Sequence, residues 1–185
     1  MIGLDLSKNA VAFSRTTHPL DGLEFKVGDA EALPFDDNSF DAIVNVESSH
    51  CYPPFPKFVS EVRRVLKPGG YFLYADFRNR HDAAAWRKTL EDSEFAVVRE
   101  TDITSNVLIA LDRDNDRKLA LIRELIPGFL LSSFLDFAAV RGSAVYESFK
   151  SGRLVYSSFI LRKPTLRQCL TFLCYLTVLA GRNIL

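Results

Sequence analysis

The segment FDAIVNVESSHCYPPFPKFVSEVRRVLKPGGYFLYADF, residues 40–77, decides the fold. It opens with an almost continuous apolar run, Phe40–Val46, which is typical of a strand buried on both faces of a parallel sheet. From Phe55 to Leu66 the apolar residues recur at helical spacing, and this pattern ends at KPGG, residues 67–70, whose proline and glycines are helix stop signals. A second strand, Tyr71–Phe77, follows. The segment therefore predicts a strand–helix–strand unit.

Further elements extend this unit in both directions along the chain. On the N-terminal side the pattern predicts a strand over Ile2–Leu6, a helix over Lys8–Thr16 and a strand over Leu23–Ala30. On the C-terminal side it predicts a helix over Asp82–Leu90, a strand over Phe95–Thr101, a helix over Asn106–Leu125 interrupted around Asp112–Asp116, helices over Leu130–Ala139 and Ser143–Ser151, and a closing strand over Arg153–Arg162. This alternation predicts an α/β fold with a doubly wound, mostly parallel sheet.

Composition limits the classes of function. The 185 residues contain 48% hydrophobic residues, 23 basic and 23 acidic side chains. A net charge of zero gives no reason to expect a nucleic-acid partner. The three scattered cysteines and three histidines show no metal-ligand spacing, and the cysteines favour reduced thiols in the cytoplasm. The N-terminus lacks a signal-peptide pattern, and the apolar run Cys169–Gly181 is shorter than the roughly 20 residues of a membrane span, so we expect no transmembrane segment.

Polar residues follow the predicted strands at Asp5, Asp29, Asn45–His50 and Asp76. Ligands of doubly wound sheets bind beyond the carboxyl ends of the strands, so these residues predict one site. Asp5 is placed to accept ribose hydroxyls, although an acid before a helix can also serve the helix dipole. Asp29, with the N–H of Ala30, matches the edge of an adenine, although an Asx turn is the alternative.

Four segments, in this order, resemble class I S-adenosylmethionine-dependent methyltransferases of the small-molecule branch. They are GLDLS (3–7), GDAEALPFDDNSFD (28–41), NVESSHCYP (45–53) and EVRRVLKPGGYFLYADF (61–77). Three overlapping or later segments look most like enzymes that O-methylate hydroxylated lipids, such as the phthiotriol dimycocerosate methyltransferases: ESSHCYP (47–53), PGGYFLYADFR (68–78) and TDITSNVLIAL (101–111). The resemblance covers residues 2–163.

The resemblance implies S-adenosyl-L-methionine as the cofactor and a Rossmann-like methyltransferase fold. It also implies that six residues bind this cofactor. Asp5 would bind the ribose with Leu6 beside it, Asp29 and Ala30 would bind the adenine, and Asn45 and Val46 would lie along the methionine. The helical insert, about residues 106–151, would then cover a small hydrophobic acceptor, with helix packing as the alternative role of its aromatic residues.

A hydroxyl acceptor calls for a general base as well as in-line positioning. His50 is the first candidate, because imidazole exchanges protons near neutral pH. Glu47 is the second candidate, either orienting His50 or contacting the acceptor, and both side chains have the alternative role of supporting hydrogen bonders. His81 is a weaker candidate, and we expect His18 to be solvated.

The sequence also departs from the family. Members begin with a strand that ends in a glycine-rich GxGxG turn, and these 185 residues contain no such motif. The resemblance places that strand between Ile2–Leu6 and Phe40–Val46, so these two strands either lack a neighbour or pair directly. We therefore expect residues 1–163 to form a truncated methyltransferase domain, followed by a hydrophobic tail, 164–185, of unknown role that packs into the gap or mediates self-association.

Three hypotheses follow for the function. The first is S-adenosylmethionine-dependent methyl transfer to a small, hydrophobic, hydroxylated lipid-like acceptor. The second is a non-catalytic fragment or pseudoenzyme with impaired cofactor binding. The third, a nicotinamide-dependent oxidoreductase, is weak, because GDAEALPF (28–35) and LKPGG (66–70) are typical of methyltransferases. We expect either that an upstream segment supplies GxGxG or that this chain binds the cofactor poorly.

Overall fold

The structure, a computed structural model, describes residues 1–165 of the chain. The strands are β1 Ile2–Asp5, β2 Glu24–Val27, β3 Phe40–Val46, β4 Leu66–Asn79, β5 Ala96–Asp102 and β6 Leu154–Arg162. The α-helices are α1 Lys8–Thr17, α2 Phe55–Val65, α3 Ala83–Asp92, α4 Thr104–Leu125, α5 Leu131–Phe137 and α6 Ala144–Lys150, with 3₁₀ turns at Ser49–Cys51 and Gly128–Leu130. The predicted elements are confirmed, and most of their boundaries shift by only a few residues.

The strands of the described chain form two sheets. Strands β1 and β2 pair in parallel, while a second sheet has the order β3-β4-β6-β5. Within the second sheet β3 and β4 are parallel, and β6 runs antiparallel to both of its neighbours. The α/β fold is therefore confirmed, with β6 as the strand that reverses direction.

Strands β1 and β3 do not pair with each other. The sequence leaves two arrangements open for these strands, and the described residues adopt the one in which a gap separates the two sheets. On β3, Val44 is 67% exposed and Val46 is 58% exposed, although the apolar run predicts burial on both faces. The unpaired edge of β3 explains the difference, because no strand within residues 1–165 covers that side.

The hydrophobic core lies between α2, α3 and the four-stranded sheet. Helix α2 buries Phe58, Val59 and Val62 on one face, as the helical spacing predicts. These side chains pack against Phe72 on β4 and, in the same cluster, Leu161 on β6, both of which are fully buried. The core thus fixes β4 and β6, and with them the strand ends that carry the site.

The helix stop signal KPGG, residues 67–70, is part of β4. Pairing of β3 with β4 moves from Phe40 opposite Leu66 to Ala42 opposite Tyr71, so the extra residues of β4 form a bulge. Gly69 adopts a left-handed φ of 85° there, which suits glycine. The bulge is closed by hydrogen bonds in which the Gly69 N–H donates to the Lys163 carbonyl and the Lys163 N–H donates to the Gly70 carbonyl.

Helix α4 is continuous, and the predicted interruption around Asp112–Asp116 is wrong. The polar residues of this stretch are satisfied without breaking the helix. Asp114 pairs with Arg117 one turn later, Asp112 pairs with Arg141 beyond α5, and buried Asn115 accepts the Arg141 N–H. These ion pairs and hydrogen bonds satisfy the polar side chains, so the helix continues through the stretch where the sequence predicts a break.

Beyond residue 165, the hydrophobic tail and its proposed self-association lie outside the described residues. None of the helices within residues 1–165 combines the length and the apolarity needed to cross a bilayer.

Candidate active site at the strand ends

A groove with a volume of about 1170 Å³ lies at the carboxyl ends of β1 and β3 and extends to helices α4–α6. It is lined by all eight residues that the sequence predicts for the site: Asp5, Leu6, Asp29, Ala30, Asn45, Val46, Glu47 and His50. A smaller cavity of about 230 Å³ between α1 and β2 contains none of them. The structure therefore brings the predicted residues together in one place.

Asp5 and Asp29 have similar local geometry. The Asp5 Oδ1 atom accepts the Ser7 N–H at 2.7 Å, and the Asp29 Oδ1 atom accepts the Glu31 N–H at 2.8 Å. The Asx turn expected as the alternative at Asp29 is therefore present. Within residues 1–165, however, no hydrogen bond to the second oxygen of either carboxylate is formed, which leaves one acceptor on each for a ligand.

Gly28 follows β2, and its backbone lies close to the end of β1. Its N–H donates to the Asp5 carbonyl at 3.0 Å. A Cβ atom at this position would lie 2.7 Å from Leu4 Cδ1 and 3.2 Å from the Pro34 ring. Only glycine therefore fits this approach without a shift of its neighbours.

Asn45 lies near the end of β3. Its Nδ2 donates to the Ser48 hydroxyl at 2.8 Å, whereas its Oδ1 is buried and has no partner among the described residues. A buried acceptor without a donor is costly, at about 1–3 kcal/mol. Such a group is typical of a site that is completed by something bound next to it.

Asp76, which is fully buried, lies next to the groove residue His50. Its carboxylate accepts the Ser49 hydroxyl at 2.6 Å, the His50 N–H at 3.0 Å and the Phe77 N–H at 2.8 Å. Arg78 provides the counter-charge, with Nη1 at 3.3 Å from Asp76 Oδ2. Asp76 follows the last β3–β4 pair, Val46 opposite Ala75, so it sits beside the end of β3.

His50 is held by Asp76. The His50 Nδ1 atom lies 2.9 Å from Asp76 Oδ1, and the imidazole ring packs against Phe77 with 4.5 Å between ring centroids. An ionised carboxylate accepts only, so Nδ1 carries the proton and Nε2 keeps its lone pair. With its side chain 28% exposed in the groove wall, His50 can accept a proton through Nε2.

Glu47 is directed to a different partner. It has a left-handed φ of 52°, and its Oε2 accepts the Tyr156 hydroxyl at 3.4 Å. Burial, the largest cause, and the negative charge of Glu47 both raise the pKa of Tyr156. The Tyr156 hydroxyl therefore stays protonated and donates the hydrogen bond. No hydrogen bond or ion pair joins Glu47 to His50 within the described residues, and the group that holds His50 is Asp76.

Arg78 and its neighbours are part of the site that sequence reasoning missed. The Arg78 Nη2 atom donates to Ser49 Oγ at 2.9 Å, and the guanidinium lies over the rings of Phe55 and Trp86. The Trp86 N–H donates to the Tyr74 hydroxyl at 2.9 Å, and burial raises the pKa of Tyr74 to about 12. The signal available in the sequence was the polar strand end at Asp76, which had no assigned role.

The other two histidines lie outside the groove. The His81 side chain is 78% exposed and its Nε2 lies 3.2 Å from Asp82, and His18 follows the end of α1. Neither lines the site.

The sequence of this chain is similar to those of known methyltransferases. Residues 1–74 match a family described as a methyltransferase domain. The chain is 39% identical over 161 residues to the phthiotriol/phenolphthiotriol dimycocerosates methyltransferase of Mycobacterium tuberculosis, covering 87% of this chain and 60% of that protein. It is 38% identical over 162 residues to the fatty-acid O-methyltransferase of Mycolicibacterium smegmatis, covering 88% of this chain and 58% of that protein.

A solved methyltransferase structure has a fold similar to that of this chain. The Haemonchus contortus phospholethanolamine N-methyltransferase 2, in complex with phosphomonomethylethanolamine and S-adenosylhomocysteine, superposes with a TM-score of 0.73 at 18% identity, covering 89% of this chain and 43% of that chain. In sequence this chain is similar to these methyltransferases, and its fold is similar to that of the N-methyltransferase. It spans about 60% of the length of the curated methyltransferases that it matches.

The buried Asp76–Arg78 pair generates a stability prediction. We expect Asp76→Asn to lower the free energy of unfolding by about 3–5 kcal/mol, because it leaves the partly buried guanidinium of Arg78 without its counter-charge and removes a buried hydrogen-bond acceptor. The matched control is Asp41→Asn, whose carboxylate is 86% exposed and pairs with Lys67 at 2.9 Å. This control should cost less than about 1 kcal/mol in urea denaturation.

A double variant separates charge from packing. Asp76→Asn with Arg78→Met should be more stable than Asp76→Asn alone, because the unpaired charge is removed. A loss for Asp76→Asn no larger than that of Asp41→Asn would contradict the role of Asp76 as the buried counter-charge of Arg78.

Proposed function

We propose that the protein transfers a methyl group from S-adenosylmethionine to a hydroxyl of a small, hydrophobic, lipid-like acceptor. The observation that carries the proposal is the single groove, which joins the acceptors Asp5 and Asp29 to the imidazole of His50. The names of the matching relatives refer to phthiotriol dimycocerosates and to fatty acids, which supports a lipid-like acceptor.

The groove fits the adenosine half of the cofactor. Asp5 and Asp29 each keep one carboxylate oxygen free of hydrogen bonds within residues 1–165, as ribose hydroxyls and an exocyclic amine require. The carboxylates of Glu31 and Glu47 add negative charge to the same wall, which favours a cationic ligand. When bound, S-adenosylmethionine supplies a methyl group carried on a positively charged sulfur.

His50 and Asp76 supply the proton chemistry. Asp76 holds Nδ1 protonated, so that Nε2 is the basic nitrogen. Nε2 would accept the proton that an acceptor hydroxyl loses, and the buried carboxylate of Asp76 would stabilise the imidazolium that forms. Phe77 restricts the ring from one side, which keeps Nε2 directed at one position.

The apolar wall of helices α4–α6 would hold the acceptor chain. The helical part of the groove is lined by Val107, Leu111, Phe137, Val145 and Phe149. An apolar wall of this kind excludes water from the transfer step and selects hydrophobic acceptors. The cytoplasmic location indicated by composition stays a prediction.

The second candidate is a non-catalytic member of the family with weak cofactor affinity. It is favoured by the gap between β1 and β3, where Val44 and Val46 are exposed. The methionine half of the cofactor has no glycine-rich backbone turn to contact in these 185 residues.

Calorimetric titration of S-adenosylmethionine into the 185-residue chain tests the cofactor site. We expect measurable binding that is weakened about tenfold or more by Asp5→Asn and by Asp29→Asn, since each loses a charged acceptor. Glu24→Gln on β2 removes the same charge outside the groove and should bind as the unmodified chain does. Equal affinities for all three variants would contradict the cofactor site, and no binding by a folded chain would favour the second candidate.

The base is tested by transfer of a radiolabelled methyl group to a long-chain diol. We expect His50→Gln to lower the transfer rate by about 10²–10⁴-fold, which is the usual contribution of a general base. Its affinity for S-adenosylmethionine should be unchanged. The matched control is His81→Gln, which should retain the full rate because His81 lies outside the groove. Equal rates for the two variants would refute the role of His50.

A further inference from the structure

The groove carries opposite charges on its two sides. The side formed by strand ends bears four carboxylates: Asp5, Asp29, Glu31 and Glu47. The helical side bears one cationic lysine, Lys118 on α4, among apolar neighbours. The carboxylates are used by the proposed cofactor site, whereas the mechanism above gives Lys118 no role.

Lys118 is half-buried and has spare hydrogen-bonding capacity. Its Nζ donates to the Ala138 carbonyl at 3.0 Å, and it forms no ion pair within residues 1–165. An ammonium group has three donors, so two are left. The arginines nearby are paired, since Arg117 bonds Asp114 and Arg141 bonds Asp112. The pKa of Asp114 is lowered by its hydrogen bond to Arg117 and then by the charges of Arg117 and Lys118, but Lys118 itself forms no ion pair among the described residues.

Capping of helix α5 explains only part of this arrangement. Ala138 is the residue at which α5 ends, and a cation there stabilises the last carbonyls. A cap uses one donor, however, and does not require that Lys118 line the groove among apolar residues. A carboxylate from a bound molecule would satisfy the remaining donors and neutralise the charge.

We propose that Lys118 binds a carboxylate of the acceptor, so that the acceptor is an apolar hydroxy acid with its hydroxyl at His50. This rests on the proposed function, because it requires that the groove receive the acceptor. A single ammonium balances one carboxylate charge. A phosphate dianion more often recruits guanidinium forks, and no arginine within residues 1–165 lines the groove.

The test is calorimetric titration of the 185-residue chain with laurate, methyl laurate and lauryl phosphate below their micellar concentrations, without S-adenosylmethionine. We expect laurate to bind about tenfold more tightly than its methyl ester, the size of one charge-assisted hydrogen bond. Lys118→Met should abolish this preference and leave the affinity for the ester unchanged. Lys118→Arg should retain most of the preference because it keeps the charge.

Arg123→Met, on the same helix but outside the groove, is the matched control and should keep the preference for laurate. The proposal is overturned if the unmodified chain shows no preference, if Lys118→Met keeps it, or if lauryl phosphate binds more tightly than laurate. Because the cofactor is absent, the titration tests the binding of a carboxylate at Lys118 separately from methyl transfer. A preference for laurate in a chain that binds no S-adenosylmethionine would refute only the methyl transfer.

Discussion

The buried carboxylate of Asp76 is the group on which the geometry of the site depends. It accepts hydrogen bonds from the turn that follows β3 and pairs with Arg78, so one side chain fixes both the backbone and the ring of His50. Without this acceptor, several buried donors would be left unsatisfied, each at a cost of about 1–3 kcal/mol. The network therefore favours this arrangement, in which Nδ1 faces Asp76 and His50 lines the groove.

Much of the fold was predictable because local patterns and tertiary packing agree. The apolar run Phe40–Val46 and the helical spacing over Phe55–Leu66 are each found as the predicted strand and helix around the core. The predicted break in α4 failed because its acidic residues find partners on a distant segment, as Asp112 does with Arg141. Sequence periodicity carries no information about such partners.

The site was predictable as a set of positions but not as a set of contacts. Strand ends converge in any doubly wound sheet, so the grouping of Asp5, Asp29 and His50 follows from the strand assignments. The partner of His50 depends on the register of β3 against β4, which places Asp76 rather than Glu47 beside the ring. The left-handed backbone at Glu47, which directs its carboxylate to Tyr156, has no signature in the sequence either.

The tautomer of His50 is the most direct test of this arrangement. Nitrogen-15 NMR of the imidazole rings, with His50→Gln to assign the signal, distinguishes a protonated Nδ1 from a protonated Nε2 in the neutral ring. We predict that neutral His50 carries its proton on Nδ1, donated to Asp76, with a free lone pair on Nε2. A proton on Nε2 would contradict the role of His50 as the base, because no lone pair would then face the groove to accept a proton.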